Sequence, residues 1–410
     1  TMANQLTKDL EILFGQYIEG FDAACVLSME VKKFSPDQQA MQRAGDVVYR
    51  PQDYHTAITS GLDISAATPT DVVQRMVPSV YKTPNNVLYQ LDAKEMRDQD
   101  TMTDYGKAAG MRLAAQIDSD LYSTIALRAA NVVKKVGTIA WDDFAQLEAI
   151  MLAKGMPLGV ARKAILNPFD YKDIAKDLGN RQYTQGAPMN AYEKSQVPGI
   201  AGFDTFRSDN LYNLAAIGTV SGTTVNGNQS FTPSAMTGDL PTDNRQMTLT
   251  VQGANVANIK AGDTFTIANV NSVHNVTKDD TGNLQTFRVL SVAGGGTSLT
   301  ITPAIVVTGP YQNVTTQAAN SAALTFVNTV TKPVNVAWVD GAVELMAGRL
   351  AFPSNQGAQV MTAVSKNGIP LIMSYQFDHL KARTTCRFTA LYGTTVLQPE
   401  LCGIVLANQT

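Results

Sequence analysis

The residues that most often perform chemistry in proteins are scarce in this sequence of 410 residues. It has 3 His and 3 Cys. His55, His274 and His379 have no partner at the spacing of a metal site, so we interpret each as structural or solvent-facing. Cys386 and Cys402 lie far apart with no CxxC motif, and we interpret them as buried free thiols.

Other constellations that could be catalytic have simpler structural explanations. Asp378 and His379 could be two members of a hydrolase triad, but adjacent residues of an extended segment point to opposite faces, and no G-x-S-x-G motif occurs. The pair Asp142 and Asp143 is predicted to cap the start of a helix. The glycines at 294–296 lack the helix and lysine of a phosphate-binding loop. We therefore predict no enzyme activity, cofactor or metal.

The composition excludes several classes of protein. Charged residues make up 16% of the chain and the formal net charge is -3, so no strong positive field is present to bind nucleic acid. Three cysteines exclude a disulfide scaffold, and no apolar run is long enough to span a membrane. Acidic residues interrupt the apolar N-terminal stretch, so we expect no signal peptide. The length predicts more than one folding unit.

Charge is unevenly distributed along the chain. Residues 214–331 contain four Lys or Arg, five Asp and 22 Thr. Threonine and valine favour strands, and the glycine and asparagine between them favour turns. Strands are predicted at 247–251, 263–270, 285–292 and 297–307, with turns at 278–283 and 293–297. This segment is therefore predicted to be an all-β barrel or sandwich inserted into another fold.

The flanking segments have helical and extended patterns. An apolar stripe predicts a helix over 5–25, and repeated apolar residues predict a long helix over 101–135. Another helix is predicted over 141–154, with Gly155 beyond its end. Alternating runs predict strands at 46–50 and 86–91, separated by a long extended loop, and further strands within 334–346 and 386–397. A long helix and a long loop are features of a protein that contacts neighbours.

Five segments in matching order resemble the major capsid (coat) proteins of short-tailed enteric bacteriophages of the P22 type. They are MQRAGDVVYRPQD (41–53), NPFDYKDIAKDLGNR (167–181), VPGIAGFD (197–204), NGNQSFTP (226–233) and VNVAWVDGA (334–342). The resemblance implies an α+β fold, the Hong Kong 97 phage capsid fold, with an inserted all-β six-stranded barrel.

The resemblance also implies a division into domains. The expected parts are an N-terminal arm (1–40), an extended loop with flanking strands (41–90), a peripheral domain with a spine helix (91–139), the first part of an axial domain (140–213), the barrel (214–332), and the remainder of the axial and peripheral domains (333–410).

The function implied is that of a shell subunit. Hexamers and pentamers would form an icosahedral precursor shell around a scaffolding protein, with a portal protein at one vertex. The shell would expand as double-stranded DNA enters, without sequence-specific binding of that DNA. The expected location is the virion, after assembly in the bacterial host cytoplasm. The alternative from composition alone is a β-rich virion decoration protein or adhesin.

Three groups of contact residues follow from the resemblance. The inter-capsomer loop of the barrel corresponds to Asp239, Asp243 and Arg245, and the alternative is a solvated hairpin tip without a partner. The extended-loop contacts are Arg43, Arg50 and Arg75. The candidates for scaffold contact are Asp9, Glu11, Glu19 and Asp22, and the alternative is that these acids form an ordinary solvated helix face. Some relatives cross-link their shells through a lysine of the extended loop, but no lysine occurs between Lys33 and Lys82, so a non-covalent shell is predicted.

Overall fold

A computed structural model describes residues 5–35, 47–56, 61–65, 73–92, 94–180, 197, 199–210, 212–350 and 359–410, with side chains from Leu10 onward except that of Gln99. These residues group into two compact units. The first lies within residues 1–48, 79–122 and 344–395, and the second within residues 49–78, 123–343 and 396–410. Each unit therefore combines segments that are distant in the sequence.

The described part of the chain contains five α-helices. They are α1 (Gln5–Ala24), α2 (Leu27–Glu30), α3 (Gln99–Arg128), α4 (Trp141–Ala153) and α5 (Pro168–Gly179). The predicted helices at 5–25 and 141–154 are confirmed as α1 and α4, and Gly155 follows α4 with a φ of 92°. The sequence analysis did not identify α5, which begins where the Asn167 side chain accepts hydrogen bonds from the backbone of Phe169 and Asp170.

The described residues also form β-strands. In chain order they are β1 (Lys32–Phe34), β2 (Val47–Pro51), β3 (Met76–Val80), β4 (Asn85–Asp92), β5 (Asn131–Val136), β6 (Arg162–Leu166), β7 (Gly199–Ile200), β8 (Phe203–Arg207), β9 (Asn213–Leu214), β10 (Ser221–Val225), β11 (Met236–Thr237), β12 (Leu240–Pro241), β13 (Met247–Ala254), β14 (Thr264–Val273), β15 (Asp280–Ala293), β16 (Ser298–Thr302), β17 (Leu324–Phe326), β18 (Lys332–Pro333), β19 (Asn335–Val339), β20 (Val343–Gly348), β21 (Gln359–Val364), β22 (Pro370–Asp378), β23 (Arg383–Val396) and β24 (Cys402–Gln409).

The long helix α3 ends earlier than predicted. It has 30 residues, which corresponds to about 45 Å, and its last residue is Arg128 rather than Lys135. The following segment is β5, which pairs in parallel with β24. Valines favour a strand over a helix, and β24 supplies the hydrogen-bonding partner, so the predicted C-terminal end was wrong. Residues up to Tyr122 belong to the first unit, and residues 123–128 to the second.

The first unit is built around a six-stranded sheet. Its order is β1-β20-β23-β22-β21, and β4 pairs with β23 as well. One face of the sheet packs against helices. On this face the ring of Phe388 lies 4.7 Å from that of Tyr17 in α1. On the same face the ring of Tyr89 lies 5.4 Å from that of Tyr105 in α3. The sheet thus positions both helices.

The second unit contains a mixed sheet and a barrel. The mixed sheet has the order β5-β24-β19-β6-β8-β7, and residues of α4 and α5 join its core. The barrel has the order β10-β13-β16-β15-β14-β17, and a bridge between Thr224 and Ala323 brings its first and last strands together. This nearly closed six-stranded barrel lies in the charge-poor segment, as predicted.

The barrel strands follow the predicted alternation. In β13, Met247, Leu249 and Val251 are buried while the intervening threonines are exposed. Because successive side chains of a strand point to opposite faces, a threonine–aliphatic alternation fills the core and leaves a polar outer surface. The predicted turn at 278–283 was partly wrong, since β15 already begins at Asp280.

Candidate assembly surfaces

The helix of the predicted N-terminal arm, α1, buries its apolar face inside the first unit. Its buried residues are Leu10, Leu13, Tyr17 and Phe21. Of the acidic candidates, Glu11 and Glu19 are exposed, and Asp22 is half-buried and accepts a 3.4 Å hydrogen bond from the backbone of Lys366. The side chain of Asp9 lies outside the described residues. Glu11 and Glu19 are therefore the acids that α1 presents to solvent.

Two glycines of α3 allow α1 to approach it closely. A Cβ atom on Gly106 would lie 2.6 Å from the carbonyl oxygen of Leu13, and one on Gly110 would collide with the carbonyl of Tyr17. Only glycine permits this contact between two helix backbones. The sequence shows both glycines early in the long helix, but it does not reveal which helix they contact.

Asp118 of α3 anchors the end of the arm. Its carboxylate accepts hydrogen bonds from the backbone N–H groups of Val26, Leu27 and Ser28 at 2.8, 3.1 and 2.9 Å. Asp118 is only 1% exposed. These donors begin helix α2, where N–H groups have no partner within the helix. Asp118 therefore fixes the turn between α1 and α2 on α3.

The extended loop is held at its base by the barrel. The guanidinium carbon of Arg75 lies 4.1 Å above the ring of Tyr311, a cation–π contact. Arg50 is half-buried in β2, and Arg43 lies outside the described residues. Arg75 was predicted to make contacts between subunits. The structure places it in a contact within the subunit, and its predicted role toward a neighbour remains a prediction.

Further hydrogen bonds reinforce this base. The hydroxyl of Tyr311 donates to the carbonyl of Val73 at 2.8 Å. The side chain of Gln52 donates to the carbonyl of Leu397 at 2.5 Å. The barrel and the C-terminal segment thus hold the two ends of the extended loop in place.

The predicted inter-capsomer loop contains a short exposed hairpin. Strands β11 and β12 pair across the two-residue turn Gly238–Asp239, and Gly238 has a φ of 63°, as such hairpin turns require. Met236 and Leu240 are 57% and 64% exposed, and Asp239 is also exposed. The tip thus presents two apolar side chains beside one carboxylate.

Asp243 and Arg245 hold the base of this hairpin instead of reaching outward. The Nε and Nη2 atoms of Arg245 donate to the two carboxylate oxygens of Asp243 at 2.8 and 2.7 Å, and Nη1 donates to the carbonyl of Val396. The Arg245 side chain is 3% exposed. Of the three predicted contact residues, only Asp239 is at the exposed tip, so the predicted contact with a neighbour now rests on Asp239.

Structural surroundings account for His274, Cys386 and Cys402. His274 accepts hydrogen bonds from the backbone of Val276 and Thr277 at 3.2 Å. Cys386 and Cys402 are buried free thiols, as predicted, and burial raises the pKa of Cys386 to about 11. In the described ranges no group of three metal-ligating side chains occurs. None of the helices described is long and apolar enough to cross a membrane.

A model of the P22 coat protein family (gene protein 5) matches residues 2–407. The chain belongs to this family. It is therefore a major capsid protein of a bacteriophage, a structural component of the virion shell that associates with copies of itself, and it is not an enzyme. Membership confirms the expected Hong Kong 97-type fold with an inserted barrel. It also favours the shell subunit over the decoration or adhesin alternative, because the match covers nearly the whole chain.

Three solved structures are similar to all or part of this P22-family coat protein. The protein of Mycobacterium phage Che8 is 11% identical, covering 94% of this chain and 92% of that chain, with a TM-score of 0.47. The capsid of cyanophage P-SCSP1u is 13% identical, covering 93% and 86%, with a TM-score of 0.44. The CUS-3 coat protein I-domain is 42% identical, covering 27% of this chain and all of that one, with a TM-score of 0.23.

Two residues of the assembly surfaces, Asp118 and Tyr311, were not foreseen from the sequence. Both act through partners that are distant in the chain. Asp118 contacts residues about 90 positions earlier, and no local spacing encodes such a contact. The resemblance to coat proteins and the scarcity of charge in the barrel segment both pointed to Asp243 and Arg245, but neither showed that the two side chains pair with each other.

Proposed function

We propose that this coat protein assembles as hexamers and pentamers into an icosahedral head that encloses double-stranded DNA. Its partners are other copies of the chain, a scaffolding protein in the precursor shell, a portal protein at one vertex, and packaged DNA contacted without sequence specificity. Assembly takes place in the host cytoplasm, and the shell expands as DNA enters. The formal net charge of -3 supports this proposal, because a strongly basic wall would retain the packaged DNA.

The observation that carries the proposal is the exposed tip of the β11–β12 hairpin. Met236, Asp239 and Leu240 are exposed together, whereas Arg245 fixes the hairpin base to the backbone of Val396. A projecting tip on a rigid base is suited to a contact with another subunit. A contact across a two-fold axis would bring together two copies of this same surface.

Substitution of Asp239 tests the role of this tip. Asp239→Ala, co-expressed with the scaffolding protein, should give fewer or aberrant shells in sedimentation and electron microscopy, while the unassembled chain keeps the unfolding midpoint of the wild type. Asp279→Ala is the matched control, since Asp279 is an exposed aspartate at another turn of the barrel. If Asp239→Ala gives shells of wild-type yield and diameter, the tip is not an assembly contact. If the wild type itself forms no closed shells, the whole proposal is wrong.

The proposed shell is held together without covalent cross-links. No lysine lies between Lys33 and Lys82, so the extended loop cannot supply a lysine for an isopeptide bond. Mature shells boiled in denaturant should run as a single band at the 44.0 kDa mass of the chain. A ladder of multimers would contradict this expectation.

The proposal also includes the division of the chain into an N-terminal arm, an extended loop, peripheral and axial domains and an inserted barrel.

The scaffolding protein is proposed to contact the exposed acids of α1. Glu11 and Glu19 remain exposed after α1 packs into the first unit. They could pair with basic side chains of a partner helix, to which Asp9 and Asp22 would add further charge. Exposed ion pairs are individually weak, so such binding would depend on several of them and would be sensitive to salt.

A further inference from the structure

Three side chains meet at the base of the extended loop, beside a cavity of about 170 Å³ in the second unit. The ring of His55 lies 5.5 Å from that of Tyr311, at an interplanar angle of 75°, and the guanidinium carbon of Arg75 lies 4.1 Å from the centre of the same tyrosine ring. His55 follows β2 and Arg75 precedes β3. Tyr311 of the barrel thus contacts a side chain from each end of the extended loop.

The surroundings of His55 suit a neutral ring better than a charged one. His55 is half-buried, and burial, followed by the positive charge of Arg75, lowers its pKa. None of the ion pairs among the described residues includes His55. A proton on His55 would therefore place a second cation on the tyrosine that Arg75 already covers, with no carboxylate in direct contact.

The carboxylates around His55 offset this effect only in part. Glu400 and Asp53 favour a higher pKa for His55, whereas the charge of Lys278 acts in the same direction as that of Arg75. Two cations and two carboxylates thus act on the ring, and burial decides the direction. The charged side chains that act on His55 or line the same cavity are Asp53, Arg75, Lys154, Arg245, Lys278 and Glu400.

We propose that His55 is a pH switch for the extended loop: the neutral ring packs on Tyr311 and holds the base of the loop on the barrel, and protonation releases it. Histidine changes its charge near neutral pH. Because the folded state favours the neutral ring, His55 stabilises the base above its unfolded pKa of about 6.5, and this stabilisation is lost as the pH falls below that value. The switch belongs to the single chain and does not require a shell.

Hydrogen exchange of the unassembled full-length chain, followed by mass spectrometry, tests this switch. The backbone N–H of Gln52 donates to the carbonyl of Arg75 at 3.0 Å, so peptides that cover β2 and β3 report on the base of the loop. After correction for the intrinsic effect of pH on exchange, their protection should fall about threefold or more between about pH 7.5 and about pH 5.5. The barrel strand β14 should keep its protection. Equal protection of β2 and β3 at both pH values would overturn the proposal.

Two phenylalanine variants separate the effect of the proton from that of packing. His55→Phe keeps an aromatic ring beside Tyr311 but cannot be protonated, so its protection should match the wild type at the higher pH and no longer fall at the lower pH. His379→Phe is the matched control, since His379 is exposed and lies in the other unit, and it should behave as the wild type. A fall in protection that persists in His55→Phe would contradict the proposal.

A measurement on the wild type decides the question if His55→Phe does not fold or loses protection at the higher pH. The chain has 3 His, so their ring signals can be followed together by NMR as the pH is lowered, and substitution of His274 and His379 assigns the signal of His55. We expect a titration midpoint for His55 below that of an unperturbed histidine, and a midpoint at or above about 6.5 would overturn the proposal.

Discussion

The ion pair beneath the hairpin gives the sharpest prediction of stability. Arg245 is almost fully buried, and its fork donates two hydrogen bonds to Asp243. Arg128 lies nearby as a second cation: burial, followed by the charge of Arg245, lowers its pKa to about 10, while Asp243 opposes that shift. Asp243→Ala therefore leaves the buried Arg245, and the half-buried Arg128 nearby, without this carboxylate. Loss of one partner of a buried pair costs about 3–5 kcal/mol.

The pH dependence of this effect has a defined sign. Burial favours raising the pKa of Asp243, but the hydrogen bonds and charge of Arg245, aided by Arg128, lower it below its usual value. A carboxyl group with a lowered pKa in the folded state stabilises the protein above its unfolded pKa, about 3.9. The difference between wild type and Asp243→Ala should be constant above about pH 5 and shrink below pH 4.

Urea unfolding of the unassembled chain measures this difference. The fluorescence of Trp141 and Trp338 is a suitable signal, because both tryptophans lie in the same unit as Asp243. Exposed Asp279→Ala is the control and should change the free energy of unfolding by less than about 0.5 kcal/mol. The double variant Asp243→Leu with Arg245→Met should be less destabilised than Asp243→Ala alone. A loss under 1 kcal/mol for Asp243→Ala would refute the reasoning.

Three further predictions concern the arm. Gly110→Ala should lower the free energy of unfolding by about 2 kcal/mol or more, because its Cβ would meet the backbone of α1. Gly15→Ala is the control: open space surrounds Gly15, so this change should raise the free energy of unfolding by about 0.5–1 kcal/mol. Urea unfolding measures both. Asp118→Ala leaves three backbone N–H groups without their acceptor, two of them buried, and should speed proteolysis within residues 5–30; Asp118→Asn should have a smaller effect. Glu11→Lys with Glu19→Lys should reduce co-sedimentation with the scaffolding protein at low salt, and equal binding would contradict the proposed contact.

The sequence predicts the barrel better than it predicts the helices. Barrel strands have an alternation of period two in which threonine faces out, and that pattern depends only on neighbouring residues. The end of α3 was misplaced because residues 131–136 form a strand only when β24 pairs beside them, and the paired residues of β24 lie more than 270 positions later. The start of β15 was misplaced for a related reason, since its first residues pair with β14 despite their turn-like composition.

The contact surfaces are less predictable than the fold, because their geometry depends on long-range packing. The resemblance to coat proteins pointed to the hairpin, but only the folded structure separates exposed Asp239 from the buried pair beneath it. The approach of α1 to α3 depends on two glycines whose partner lies about 90 residues away. Tyr311 is one of 14 tyrosines, and nothing in its local sequence indicates that it holds the extended loop.

Two of the few charged residues of the barrel segment make contacts inside the subunit, which composition alone does not show. Arg288 is fully buried, and its guanidinium donates to the carbonyl of Ala126 in the last turn of α3 and to Thr264. A cation is favourable at a helix C-terminus. Burial lowers the pKa of Arg288 to about 10, which still leaves it charged at neutral pH. Because Arg288 and Arg245 both serve internal contacts, much of the barrel's small complement of charge fixes the barrel to its own subunit.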